Sequence, residues 1–188
     1  MSRRALLNRL ALVAAGAYAL TGALELSHDQ AAVFVDPIDY AIEIAFVLAL
    51  AASVGVFFSI GRARLSGRTA TVGWMLALAG NTALATAALA TTIEGREALA
   101  PLFALGFLAI VAGYLALAAV DLRGRLVPPR AGLLLLLGFS ATAVVANLVT
   151  AGGSLVLAAT WAALSRLICA PDVTSAAGRR TTAAGASL

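Results

Sequence analysis

Residues 40–68 read YAIEIAFVLALAASVGVFFSIGRARLSGR. From Ile44 to Ile60 no side chain carries a charge, and then Arg62, Arg64 and Arg68 follow in quick succession. About 20 apolar residues are what an α-helix needs to cross the hydrocarbon core of a bilayer. A helix apolar on every side has no face to offer water. The stretch therefore reads as a transmembrane span that ends in an arginine-rich loop at the membrane surface.

The same pattern repeats outward from it. Apolar runs at about residues 10–24, 40–60, 69–93, 99–120, 131–150 and 154–169 predict six spans joined by short connections. Backbone polar groups in lipid must be satisfied within the segment, so each span is expected to be a helix. The fold class expected is all-α, a polytopic transmembrane helical bundle of six spans occupying residues 1–170. Pro171 stops the last helix. Residues 171–188 carry no periodic apolar face and are expected to be a disordered cytoplasmic tail. Composition agrees: 62% of the 188 residues are apolar and 12% charged, against roughly 25% charged in soluble domains.

Charge placement gives the orientation. Arg3, Arg4, Arg9, Arg62, Arg64, Arg68, Arg123, Arg125, Arg130, Arg166, Arg179 and Arg180 fall on one side of the spans, and Arg96 alone on the other. The acids reverse this: Glu25, Asp29, Asp36, Asp39, Glu43, Glu94 and Glu97 lie opposite the arginines, and only Asp121 and Asp172 lie among them. Short loops rich in basic residues stay in the cytoplasm, so both termini are expected inside. All 13 basic residues are arginine, and with the heavy Ala, Leu, Gly and Val usage this suggests a high-GC bacterial genome and a plasma-membrane location. The net charge of +4 is no sign of a nucleic-acid partner, because the arginines flank apolar spans and form no basic groove. Arg3, Arg4 and Arg9 before a short apolar run also describe a signal peptide, with Ala17-Tyr18-Ala19 as a cleavage-like site. Retention of the first span is the expectation.

Few polar residues are out of place. Asp36-Pro37-Ile38-Asp39-Tyr40-Ala41-Ile42-Glu43 has the look of an aspartate-rich metal site, and Asp39 and Glu43 share a helix face at i and i+4. Asp36, Asp39 and Glu43 are thus weak metal candidates. The plainer reading makes Asp36 an N-cap, Pro37 the first helical residue, and Asp39 a charge matched to the helix N-terminus. Glu43 lies deeper and is expected either to pair with Arg96 or to reach wet headgroups. Glu25, His28 and Asp29 share a face at the outer end of the first span if that helix continues so far. Asn81 sits near the middle of the third span and Asn147 in the outer half of the fifth. They would serve as interhelical hydrogen-bond glue or line a solute path. The small residues around Asn81 point to the third span as the bundle centre. Phe103, Phe107, Leu108, Ile110 and Leu133–Leu137 are expected to face lipid.

No P-loop, Rossmann glycine pattern, HExxH, GxSxG or cysteine pair occurs. Cys169 and His28 are each the single residue of their kind and fall on opposite membrane faces, so they cannot share a zinc ion. No cofactor is expected. The Ser-Arg-Arg start, His28-Asp29, Asp36-Pro37-Ile38-Asp39-Tyr40 and Leu126-Val127-Pro128-Pro129-Arg130-Ala131-Gly132-Leu133 resemble features of small six-span actinobacterial membrane proteins without an assigned activity. The resemblance implies a membrane location and no catalytic residues. The sequence favours a structural or accessory membrane subunit that packs with itself or with another membrane protein. A small transporter or channel lined by Glu43, Asn81 and Asn147 is the second reading. A membrane enzyme working at the outer acidic face is the third.

Overall fold

The computed structural model describes residues 2–28, 33–61, 67–97, 99–124, 130–148 and 152–169. The expected disordered tail at 171–188 lies outside these residues, as do Asp29, Arg62, Arg64, Arg125, Arg179 and Arg180. The described residues form six α-helices: α1 (Arg3–Ser27), α2 (Pro37–Gly61), α3 (Arg68–Glu94), α4 (Ala100–Leu122), α5 (Ala131–Leu148) and α6 (Gly152–Cys169). All but α5 are long and apolar enough to cross a membrane; the apolar part of α5, Ala131–Ala146, is shorter. The chain has the make-up of a membrane protein.

Local chemistry sets the helix ends. Ser2 caps α1 by accepting a hydrogen bond from the Ala5 N–H at 3.3 Å. α2 opens on Pro37, whose missing N–H costs nothing in a first turn. α3 stops at Gly95, which takes a left-handed φ of 66°, and a Cβ there would lie 2.7 Å from the Tyr40 hydroxyl. Glycine alone fits both constraints. Within the helices, the hydroxyls of Thr21, Ser53, Thr82, Thr86, Thr91, Thr142 and Thr160 each donate to the carbonyl four residues earlier. That habit satisfies a hydroxyl without water.

The helices form a closed ring. Each packs against its neighbours in sequence, and α6 returns to pack on α1. Neighbours run antiparallel. On α3 and α4, Gly73 meets Ala116 and Leu117 while Gly80 meets Gly106 and Ile110. On α1 and α6, Asn8 meets Ser165 while Gly22 meets Leu155. One end of the ring therefore carries Arg3, Arg4, Arg68, Arg123, Arg130 and Arg166, and the other Glu25, His28, Asp36, Asp39, Glu94 and Arg96.

The third helix is not the centre of the bundle, as its small residues had suggested. It is one stave of the ring, between α2 and α4. Its small residues instead let it approach α4 very closely. A Cβ on Gly113 would lie 2.6 Å from the Ala77 nitrogen, and one on Gly80 would lie 2.7 Å from the Gly106 carbonyl oxygen. The glycine pairs Gly73/Gly80 and Gly106/Gly113 are each spaced by two helical turns and interlock across the contact. Backbones this close gain dispersion contacts that lipid cannot match.

Aromatic rings fill the interior. Phe57 of α2 stacks on Tyr114 of α4 and meets Trp161 of α6 edge-on. Tyr114 also meets Phe139 of α5 edge-on. At the acidic end Phe46 lies between Tyr18 and Phe103. The expectation that the bulky runs of α4 and α5 all face lipid holds only in part. Leu105, Leu108 and Leu137 are exposed, but Ile110 and Leu135 are buried and Phe103 packs against the core. Consecutive residues of a helix point in different directions, so a run of bulky residues cannot lie on one face.

Candidate functional site

The polar residues singled out in the sequence collect mainly at the acidic end. Asp39 is buried, 1% exposed, and it organises the start of α2. It is the third helical residue after Asp36, and its Oδ2 accepts from the backbone N–H groups of Asp36 at 3.2 Å and Val35 at 3.1 Å. This is the reach-back half of a capping box. Its other oxygen, Oδ1, lies 3.0 Å from Nε2 of His28. The carboxylate thus ties the end of α1 to the beginning of α2. Asp36, the expected N-cap, is exposed.

The segment before α2 also docks on the turn between α3 and α4. Val33 and Arg96 form an antiparallel bridge, and the Phe34 N–H donates to the Gly95 carbonyl at 2.8 Å. The Phe34 ring meets Tyr40 edge-on at 5.1 Å. Gly95 leaves room for the Tyr40 hydroxyl beneath this contact. The segment before α2 and the turn after α3 are therefore joined at the acidic end of the ring.

Glu43 stands one turn below Asp39 and is buried at 8% exposure. The ion pair of Arg96 is with Glu94 at 3.7 Å, with both side chains largely exposed. The guanidinium expected to reach Glu43 is thus turned toward the near end of its own connection. Glu25 is part-buried beside Ser154 of α6, and its Oε2 is buried with no hydrogen-bond partner among the described residues. Among the described residues, no group of three or more His, Cys, Asp or Glu is placed to hold a metal ion. Asp36, Asp39 and Glu43 do not assemble as ligands, because both Asp39 oxygens face donors and Asp36 lies at the surface.

Asn81 belongs to the ring's interior, 2% exposed. Its amide donates to the Ala77 carbonyl at 2.7 Å, and it shares a side-chain hydrogen bond with Tyr114 of α4. Tyr18 of α1 makes a similar bond with Ser53 of α2. Asn147 lies in α5, but its side chain is outside what the structure describes.

Two polar residues that the sequence did not single out prove structural. Asp121, near the end of α4, is 8% exposed and accepts from the backbone N–H groups of Arg130 at 2.6 Å and Leu133 at 3.1 Å. It caps the first turn of α5 from the neighbouring helix. The signal was an acid at a helix C-terminus, where the macrodipole disfavours it. The second is Asn8, whose Oδ1 accepts from the Ser165 hydroxyl at 2.6 Å.

Set beside known proteins, the chain matches no family model, no curated protein and no solved structure.

Proposed function

We propose that this protein is a non-enzymatic integral membrane protein of the bacterial plasma membrane, with six spans and both termini in the cytoplasm. Its role is that of a structural or accessory subunit, embedded in the lipid bilayer and packing with itself or with another membrane protein. The kinship it suggests is with the small six-span actinobacterial membrane proteins named above.

One observation carries this reading. Of the polar groups that would have to line a transport path, Glu43 and Asn81 are buried, and Asn81 is engaged in holding helices together. Its amide is bonded to its own helix and to Tyr114 of α4, aromatic rings from α2, α4, α5 and α6 fill the space nearby, and at the acidic end the segment before α2 is bonded to the turn after α3. A passage would need these groups to face water.

Cysteine labelling tests it. In a Cys169→Ser background, single cysteines at positions 43 and 81 are expected to resist a membrane-impermeant maleimide in native vesicles, while a cysteine at exposed Val35 reacts. Labelling at both interior positions would replace this reading with that of a transporter. Reporter fusions at each terminus check the orientation, and both are expected to be active in the cytoplasm.

A further inference from the structure

The arginine end holds a feature that helix packing does not account for. Arg68 opens α3, Arg123 caps the end of α4 and Arg130 immediately precedes α5, and all three are exposed. They are neighbours. The first turns of α3 run beside the last turns of α4, where Gly73 lies against Ala116 and Leu117. The Arg130 N–H in turn sits 2.6 Å from the Asp121 carboxylate of α4. Among the described residues no ion pair joins a carboxylate to these three guanidinium groups. Asp121 is the one acid at this end among the described residues, and it turns inward to two backbone N–H groups. The ion pairs His28–Asp39 and Arg96–Glu94 lie at the opposite end.

Helix electrostatics explain only one of these positions. Arg123, at the end of α4, sits where a helix favours a cation, as does Arg166 in the last turn of α6, but Arg68 and Arg130 stand at helix N-termini, where a cation is disfavoured. Arg130 is also strained. It is the one non-glycine residue with a positive φ, 69°, among the described residues, a conformation that glycine adopts without cost. A glycine could make the same backbone bonds to Asp121 and to Leu134. The backbone therefore gives no reason for arginine at this place, and the side chain must supply one.

A guanidinium offers a planar fork of donors that matches the oxygens of a phosphate group. Three of them, unopposed at the rim of a membrane helix bundle, complement the anionic headgroups of a leaflet. We propose that Arg68, Arg123 and Arg130 form a collar that binds the phosphate groups of anionic phospholipids at this end of the ring. The inference rests on the membrane reading above.

The test uses the full-length protein in nanodiscs of phosphatidylcholine alone or of phosphatidylcholine with phosphatidylglycerol. Melting temperature and lipid retained in native mass spectrometry are the readouts. Anionic lipid is expected to raise the melting temperature and to stay bound after release from the disc. Arg130→Gly is expected to melt no lower than the wild type in phosphatidylcholine, because the backbone strain is relieved, yet to gain less from phosphatidylglycerol. A combined R68Q/R123Q/R130Q variant is expected to lose that gain and the retained lipid. An equal gain in the wild type and the combined variant overturns the collar. So does the absence of any gain in the wild type, or an equal gain from inorganic phosphate added to phosphatidylcholine discs. Failure to enter discs of either composition would instead overturn the membrane reading itself.

Discussion

The Ser165 hydroxyl donates to Oδ1 of Asn8 at 2.6 Å, joining residues 157 positions apart in the chain. Through this bond the last helix closes on the first. A double-mutant cycle of Asn8→Ala and Ser165→Ala is expected to show a coupling of about 0.6 kcal/mol, and no more than about 1.7, the range for interhelical hydrogen bonds in membranes. Zero coupling would mean that the seam is held by packing alone. In this seam α1 packs on both α2 and α6, which fits retention of the first span. The mass of protein extracted from membranes is accordingly expected to include residues 1–27.

The α3–α4 contact should not tolerate side chains. Gly80→Leu and Gly113→Leu would each drive atoms into backbone lying within 3 Å of the first added carbon. Overpacking of this kind costs roughly 1–3 kcal/mol, and more where backbone must move. Gly16 is the control, because a Cβ there meets nothing within 4 Å. Gly16→Ala is expected to be neutral or to stabilise by up to about 1 kcal/mol through helix propensity. Thermal unfolding in one detergent checks all three, and equal losses would refute the close approach.

Asp39 should matter more than Asp36. Asp39→Ala removes the acceptor for two backbone N–H groups and for His28, and loss of a cap costs about 0.5–2 kcal/mol. Asp36→Ala, at an exposed position, is expected to cost less. Neither chelator nor added divalent cation should shift the melting temperature of the wild type. A cation-dependent rise that Asp39→Asn abolishes would reinstate the metal reading of this end.

Asp121 should behave as a cap supplied from outside the helix it serves. Asp121→Ala is expected to destabilise by about 0.5–2 kcal/mol and to speed hydrogen exchange at the N–H groups of Arg130 and Leu133. Unchanged exchange at those two amides would show that another acceptor holds the first turn of α5.

Much of the fold was legible in the residues because the bilayer imposes a simple length rule. The six helices begin and end within a few residues of the expected spans, except that α1 starts earlier and ends later, at Arg3 and Ser27. Its ends are polar, so hydropathy alone stops short of them, whereas Ser2 extends it by capping. What the pattern could not give was direction around each helix. Lipid and a protein interior are both apolar, so Ile110 and Leu108 look alike in sequence although one is buried and the other exposed. The candidate site was half legible. The acids at 36, 39 and 43 and the lone histidine were visible as unusual. That His28 would meet Asp39 was not, because the contact depends on how a connection folds back and on which oxygen the capping box leaves free. Pairing with Arg96 was one of the two settings expected for Glu43, beside a reach to wet headgroups; Arg96 meets exposed Glu94, only two residues away, a contact that demands no desolvation.

Ring closure also fixes an order of events. α1 leaves the ribosome well before α6, and until α6 arrives the flank of α1 that carries Asn8 and Gly22 has no protein to meet. During synthesis the earlier helices must wait as an open crescent, with a polar amide turned toward lipid or toward whatever shelters nascent spans. A chain cut short before Gly152 would be left in that crescent state, and quality-control proteases should clear it faster than a chain carrying any of the single substitutions above.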